Sequence, residues 1–72
     1  MVQLIVVEPC ADGWAVRQPS IANAQLFVSG AKAEDAARLL GTRLADAGQP
    51  AEIQVYLRNG DLAGRFVLAP AA

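Results

Sequence analysis

KAEDAARLLGTRLADA, Lys32 to Ala47, is the stretch that decides the fold. Ala33, Ala36, Ala37, Leu40, Leu44 and Ala47 recur at the spacing of one face of an amphipathic helix. Glu34, Asp35, Arg38, Arg43 and Asp46 occupy the rest of its surface. The apolar stripe is mostly alanine, so the helix is expected to lie close against whatever it covers. Strand-like segments flank it on both sides, and a sheet built from them is the natural cover.

Upstream, Val2 to Pro9 (VQLIVVEP) reads as a first strand. Its run of leucine and β-branched residues points to burial on both faces, or to a covered place near the sheet centre. Cys10-Ala11-Asp12-Gly13 is a turn, with Asp and Gly supplying a side-chain hydrogen bond and a positive φ. Trp14 to Gln18 is the second strand. A four-residue loop sets Val7 against Val16 and Pro9 against Trp14, which places Ile5, Val7, Trp14 and Val16 on one face. Pro19 to Asn23 is a connector. Gln25 to Ser29 is a third strand, in which Leu26 and Val28 alternate with Phe27, and Ser29 can cap the helix. Glu34 and Asp35 fall in the first turns, where the helix dipole favours anions. Gly41 costs the helix about 1 kcal/mol relative to Ala and can permit close approach to a strand. Gly48 and Pro50 end the helix.

Downstream, Asn59-Gly60 between alternating apolar residues predicts a hairpin with a two-residue type I′ turn. That register sets Arg58 against Asp61, Leu57 against Leu62, Val55 against Gly64 and Ile53 against Phe66. Tyr56, Gln54, Arg65 and the Arg58–Asp61 pair then take the opposite face. Ala69 to Ala72 should fray. The predicted order is β-β-β-α-β-β: one α+β domain over residues 1–72, an antiparallel sheet of about five strands with one amphipathic helix packed on one face.

The totals bound what such a domain can do. A chain of 72 residues buries only about 60% of its unfolded surface, so its stability depends on close packing, a crosslink, a metal or association. Cys10 is the only cysteine and there is no histidine, which removes an internal disulfide and leaves poor material for zinc. No cofactor is expected. Six basic and seven acidic residues give a net charge of −1, which disfavours nucleic acid as a partner. The apolar run Leu4 to Val7 is too short for a signal peptide core or a membrane span. A cytoplasmic chain is expected, and an unpaired thiol fits a reducing compartment. The Ala, Gly, Arg and Leu usage points to a GC-rich bacterial or phage gene.

The order of motifs resembles a family of small bacterial proteins of unknown function, DUF2188. The matching residues are Asp12-Gly13-Trp14-Ala15-Val16-Arg17, then Phe27, Lys32, Ala33, Glu34 and Ala36, then Arg58-Asn59-Gly60-Asp61-Leu62. Tyr56 stands where that family often carries His. The resemblance implies a fold and no activity. The first half, with Glu34 to Ala37 opening a helix after three strands, is similar to HicB-type antitoxins, which neutralise a small RNase toxin by direct binding. Some small phage-encoded anti-CRISPR inhibitors are similar in layout.

The candidate sites each have a plainer reading. Cys10 has no basic neighbour in sequence and is read as inert. Asp12 belongs to its turn and Glu8 to strand polarity. Trp14 is an exposed anchor or a core residue at the helix edge, and core is preferred. Arg17, Arg58 and Arg65 share the helix-free face with Tyr56; this is the geometry of a single-strand binder, or of a solvated face or protein interface. The first strand offers Leu4 and Val6 to one face and Ile5 and Val7 to the other, and the third and fifth strands do likewise through Phe27 and Val67. Some of this apolar surface must lie on the face without the helix. The candidate interaction surface is therefore Trp14, Arg17, Tyr56, Arg58, Arg65 and Val67. The expected function is a non-enzymatic protein-interaction module, homodimeric or bound to a target protein as a small inhibitor or adaptor. A nucleic-acid module and a self-assembling structural protein are the alternatives.

Overall fold

The computed structural model describes residues 2–19 and 21–70. Five strands and one helix follow in the order β1 (Gln3–Cys10), β2 (Gly13–Arg17), β3 (Gln25–Phe27), α1 (Gly30–Asp46), β4 (Ala51–Tyr56) and β5 (Leu62–Leu68). The fold is α+β, as predicted. Ala71 and Ala72 of the expected fraying tail lie outside the described residues.

The sheet order is β3-β2-β1-β4-β5, and the sheet is mixed rather than wholly antiparallel. The first hairpin has the predicted register, Val7 opposite Val16 and Pro9 opposite Trp14, although only Ala11 and Asp12 lie outside its ladder. β1 also pairs in parallel with β4, from Gln3–Ala51 to Val7–Val55. The reason is directional. Two reversals bring β3 into the direction of β1, and α1 carries the chain back, so β4 must run with β1 when it inserts beside it.

Ser29 caps α1, its hydroxyl accepting from the Lys32 N–H at 3.2 Å. The helix thus starts two residues before the predicted point, and Glu34 and Asp35 lie beyond its first turn. At the other end Gln49 donates to the Leu44 carbonyl (2.8 Å) and Gly48 to the Ala45 carbonyl (3.0 Å). With Gly48 at φ 85°, this is a Schellman stop. Ala33, Ala37, Gly41 and Ala45 are the buried helix residues. Leu40 and Leu44 pack at the rim, while Ala47, predicted on the stripe, is exposed. Ile5, Val7 and Ile53 are the largest fully buried side chains. A Cβ on Gly41 would stand 2.6 Å from Leu68 Cδ1 and 3.3 Å from Ile53 Cδ1, so its missing side chain is what brings α1 onto β4 and β5.

The second hairpin departs from the prediction. A type I′ turn needs positive φ at both central residues, yet among the described residues only glycines have it. Instead Gly60 N–H donates to the Leu57 carbonyl (3.0 Å) and Leu57 N–H to the Asp61 carbonyl (2.8 Å). The loop is Arg58-Asn59-Gly60, bending at Gly60 with φ 90°. Asn59 Oδ1 accepts from the Asp61 N–H at 2.9 Å, which satisfies this wider turn. Tyr56 therefore stands opposite Leu62, and the Arg58–Asp61 and Leu57–Leu62 pairs do not form. Ala63 is an extra residue, a bulge that restores the predicted Val55–Gly64 and Ile53–Phe66 pairs.

β3 is seated by a small residue in β2. A Cβ on Gly13 would stand 2.3 Å from the Phe27 carbonyl oxygen. Gly13→Ala is therefore expected to lower stability by about 1–3 kcal/mol in urea unfolding. The amides of Gln25–Phe27 should become the first sheet amides to exchange.

Candidate interaction surface

Alternation along the strands sorts the candidate residues by face. Phe27 stands opposite Trp14, and both pack on the core under α1. Of the apolar excess noted in the sequence, Phe27 therefore belongs to the helix side of the sheet. Trp14 is a core-rim residue: its indole lies against Gly30, whose Cβ would come within 3.0 Å of the ring. Arg58 sits in the hairpin loop and does not share a face with Arg17, Tyr56 and Arg65. Its guanidinium lies 5.9 Å from the Trp14 ring centroid and reaches the Cys10 carbonyl at a long 3.5 Å. Trp14 and Arg58 thus meet each other at one end of the sheet.

The helix-free face carries Arg17, Tyr56, Arg65 and Val67 together with Leu4, Val6, Glu8, Leu26, Glu52 and Gln54. Val6 stands between Arg17 of β2 and Gln54 of β4, so β1 is covered by the helix on one side only. Two ion pairs cross this face. Arg17 bonds Glu8 through Nε, and Arg65 Nη2 donates to Glu52 Oε1 at 2.8 Å. Both are diagonal: Arg17 is opposite Val6 and Arg65 is opposite Gln54, one pleat away from the carboxylate each one meets.

Glu52 also ends a directed chain. The Tyr56 hydroxyl donates to Gln54 Oε1 at 2.7 Å, and Gln54 Nε2 donates to Glu52 Oε2 at 2.6 Å. With Arg65 on its other oxygen, Glu52 is held below the usual carboxylate range, first by the Arg65 hydrogen bond and then by Gln54. The same contact holds Arg65 more firmly protonated. Val67, opposite Glu52 on β5, is 64% exposed beside this network, and Leu26 at 73% stands on the same face at the far edge strand. Glu52 is not singled out in the sequence, while Glu8 reads there only as strand polarity and Gln54 only as a neighbour of Tyr56 and Arg65. The signal that finds them is the two-residue spacing Glu52-x-Gln54-x-Tyr56, read together with diagonal rather than direct neighbours.

No group of three or more His, Cys, Asp or Glu side chains is placed to hold a metal ion among the described residues. No helix there is long and apolar enough to cross a membrane. Comparison with family models, curated proteins and solved structures gives no match to any of them.

The acid response tests the Glu52 hub. A carboxyl lowered in the folded state stabilises fully above its unfolded value near 4.5, and that stabilisation disappears as pH falls toward the lowered value. Glu52→Gln removes the titrating group. Its unfolding free energy is expected to fall less between pH 7 and pH 3 than that of the native chain, in paired urea titrations.

Proposed function

We propose that the chain is a non-catalytic protein-interaction module whose contact surface is the helix-free face of its sheet and the adjoining edge. One observation carries this reading: that face combines charge-compensated arginines, a tyrosine and exposed aliphatic side chains. Arg17 and Arg65 are each tied to a carboxylate, while Val67 and Leu26 project into solvent. Tyr and Arg set among apolar groups, with little net charge, is the composition of protein interfaces.

Two features speak against nucleic acid as the partner. A phosphate approaching Arg17 or Arg65 must displace Glu8 or Glu52, and Arg58 is stacked near Trp14 off this face. Catalysis is disfavoured by the same network, because Glu52, held ionised by Arg65, is a poor general acid near neutrality. The partner is another protein surface, a second copy or a separate target, in the reducing environment that suits Cys10. A small inhibitor or adaptor, as the antitoxin and anti-CRISPR resemblances imply, would act in this way.

Affinity capture from host lysate, with and without nuclease and read by mass spectrometry, tests this reading. The native chain is expected to retain a stoichiometric protein, an untagged copy of itself included, after nuclease treatment. Val67→Lys should lose a separate target protein docked on the face, with its circular dichroism unchanged, and keep an untagged copy held at the sheet edge. Recovery that collapses with nuclease would overturn the reading in favour of nucleic acid.

A further inference from the structure

We propose that β3 is a docking edge for a second copy of this chain. Two β3 strands would pair antiparallel about a two-fold axis at Phe27, joining two sheets into one. A second copy at β3 is the partner that the interaction-module reading leaves open, and it stands only if that reading stands.

The two edges of the sheet are treated differently. Each presents unpaired backbone N–H and C=O groups, which proteins normally guard with charge, proline, a bulge or brevity. The β5 edge is guarded by Arg65, by the bulge at Ala63 and by Pro70 just beyond its end. On β3 the devices are its shortness and the bend at Val28 and Ser29 that ends it. Gln18 to Ala31 is a run of 14 residues without a single charge. Val28 at 82% and Leu26 at 73% are the two most exposed large hydrophobic side chains among the described residues. The chain bends at Val28 and Ser29 as it enters α1, and the Ser29 carbonyl already accepts from the Ala33 N–H. Ser29 itself is extended, with φ −133° and ψ 151°, so pairing from Gln25 to Ser29 requires only that the bend at Val28 straighten.

What selects a second copy is self-complementarity. A two-fold axis at Phe27 sets Leu26 against the partner's Val28 and Gln25 against the partner's Ser29. Phe27 then meets the partner's Phe27. Apolar groups meet apolar groups, amide meets hydroxyl, and no charge confronts a like charge. A foreign strand would have to be chosen without any charge on β3 to recognise it by.

Analytical ultracentrifugation of the full chain from micromolar to submillimolar concentration provides the test. The mass should climb from 7.5 kDa toward twice that value, and the amides of residues 25–29 should exchange more slowly as concentration rises. Leu26→Lys should stay monomeric with unchanged circular dichroism. Val28→Lys should do the same and serves if Leu26→Lys fails to fold. Val67→Lys should dimerise normally. A native chain that is monomeric throughout, or a folded Leu26→Lys or Val28→Lys that still dimerises, would overturn the proposal. So would a dimer dissolved by Val67→Lys alone, which moves the contact to the sheet face and leaves the interaction-module reading standing.

Discussion

The structure depends on how closely one helix can approach two strands. Ala33, Ala37 and Gly41 offer almost no side chain to the sheet, so Ile5, Val7 and Ile53 reach the helix surface and are fully buried beneath it. Burying each such aliphatic chain is worth about 1.5–3 kcal/mol, against a typical domain stability of about 5–15 kcal/mol. Three side chains under one small-residue stripe therefore weigh heavily in a molecule of this size. The same contact explains why β1 and β4 lie side by side, since both must fit beneath the stripe. It also explains why Trp14, Phe66 and Leu68 serve as rim rather than centre.

Because the one helix is committed to one face, the other face must be stable in water on its own terms. It achieves this by neutralisation rather than by net charge. Arg17 answers Glu8, Arg65 answers Glu52, and Tyr56 donates to Gln54, which in turn donates to Glu52. Exposed ion pairs of this kind contribute little stability, but they leave a surface with no dominant sign. In the proposed role such a surface would neither attract polyanions nor repel a protein partner, and the exposed aliphatics would supply contact area.

Local rules were legible in the sequence, and direction was not. The Ser29 cap, the Gly48 stop, the alanine stripe and the first hairpin register all follow from spacing and side-chain chemistry. The parallel β1–β4 pair was missed because sequence patterns specify elements and not neighbours. It was nonetheless implicit in the order β-β-β-α-β-β, since counting reversals gives β4 the direction of β1. Asn59-Gly60 misled because the dipeptide fits two turns. The wider loop prevailed once Asn59 stayed out of the positive-φ region and its side chain bonded Asp61, and the bulge at Ala63 absorbed the difference. For the site, alternation placed Arg17, Tyr56, Arg65 and Val67 correctly on one face. It lost Arg58 to the loop, and it left the side of Phe27 open, which pairing with Trp14 settles because the two must share a face. Glu8 and Glu52 escaped because their arginines are diagonal neighbours.

The parallel pairing at the sheet centre has a consequence for how the chain is made. Synthesis delivers β1, β2 and β3 first, and nothing in that half can complete the outer side of β1. The edge running from Gln3 to Val7 stays open until Ala51 to Val55 emerges, and until then the helix can cover only β1, β2 and β3. Folding is consequently gated by the most distant strand pair in the molecule, whose closure must bear the loop entropy of everything between. Until that moment the nascent protein displays β1, whose Ile5 and Val7 end fully buried, with one edge unpaired. The interval between translating Val7 and translating Val55 is thus when this small domain is most exposed to misassembly.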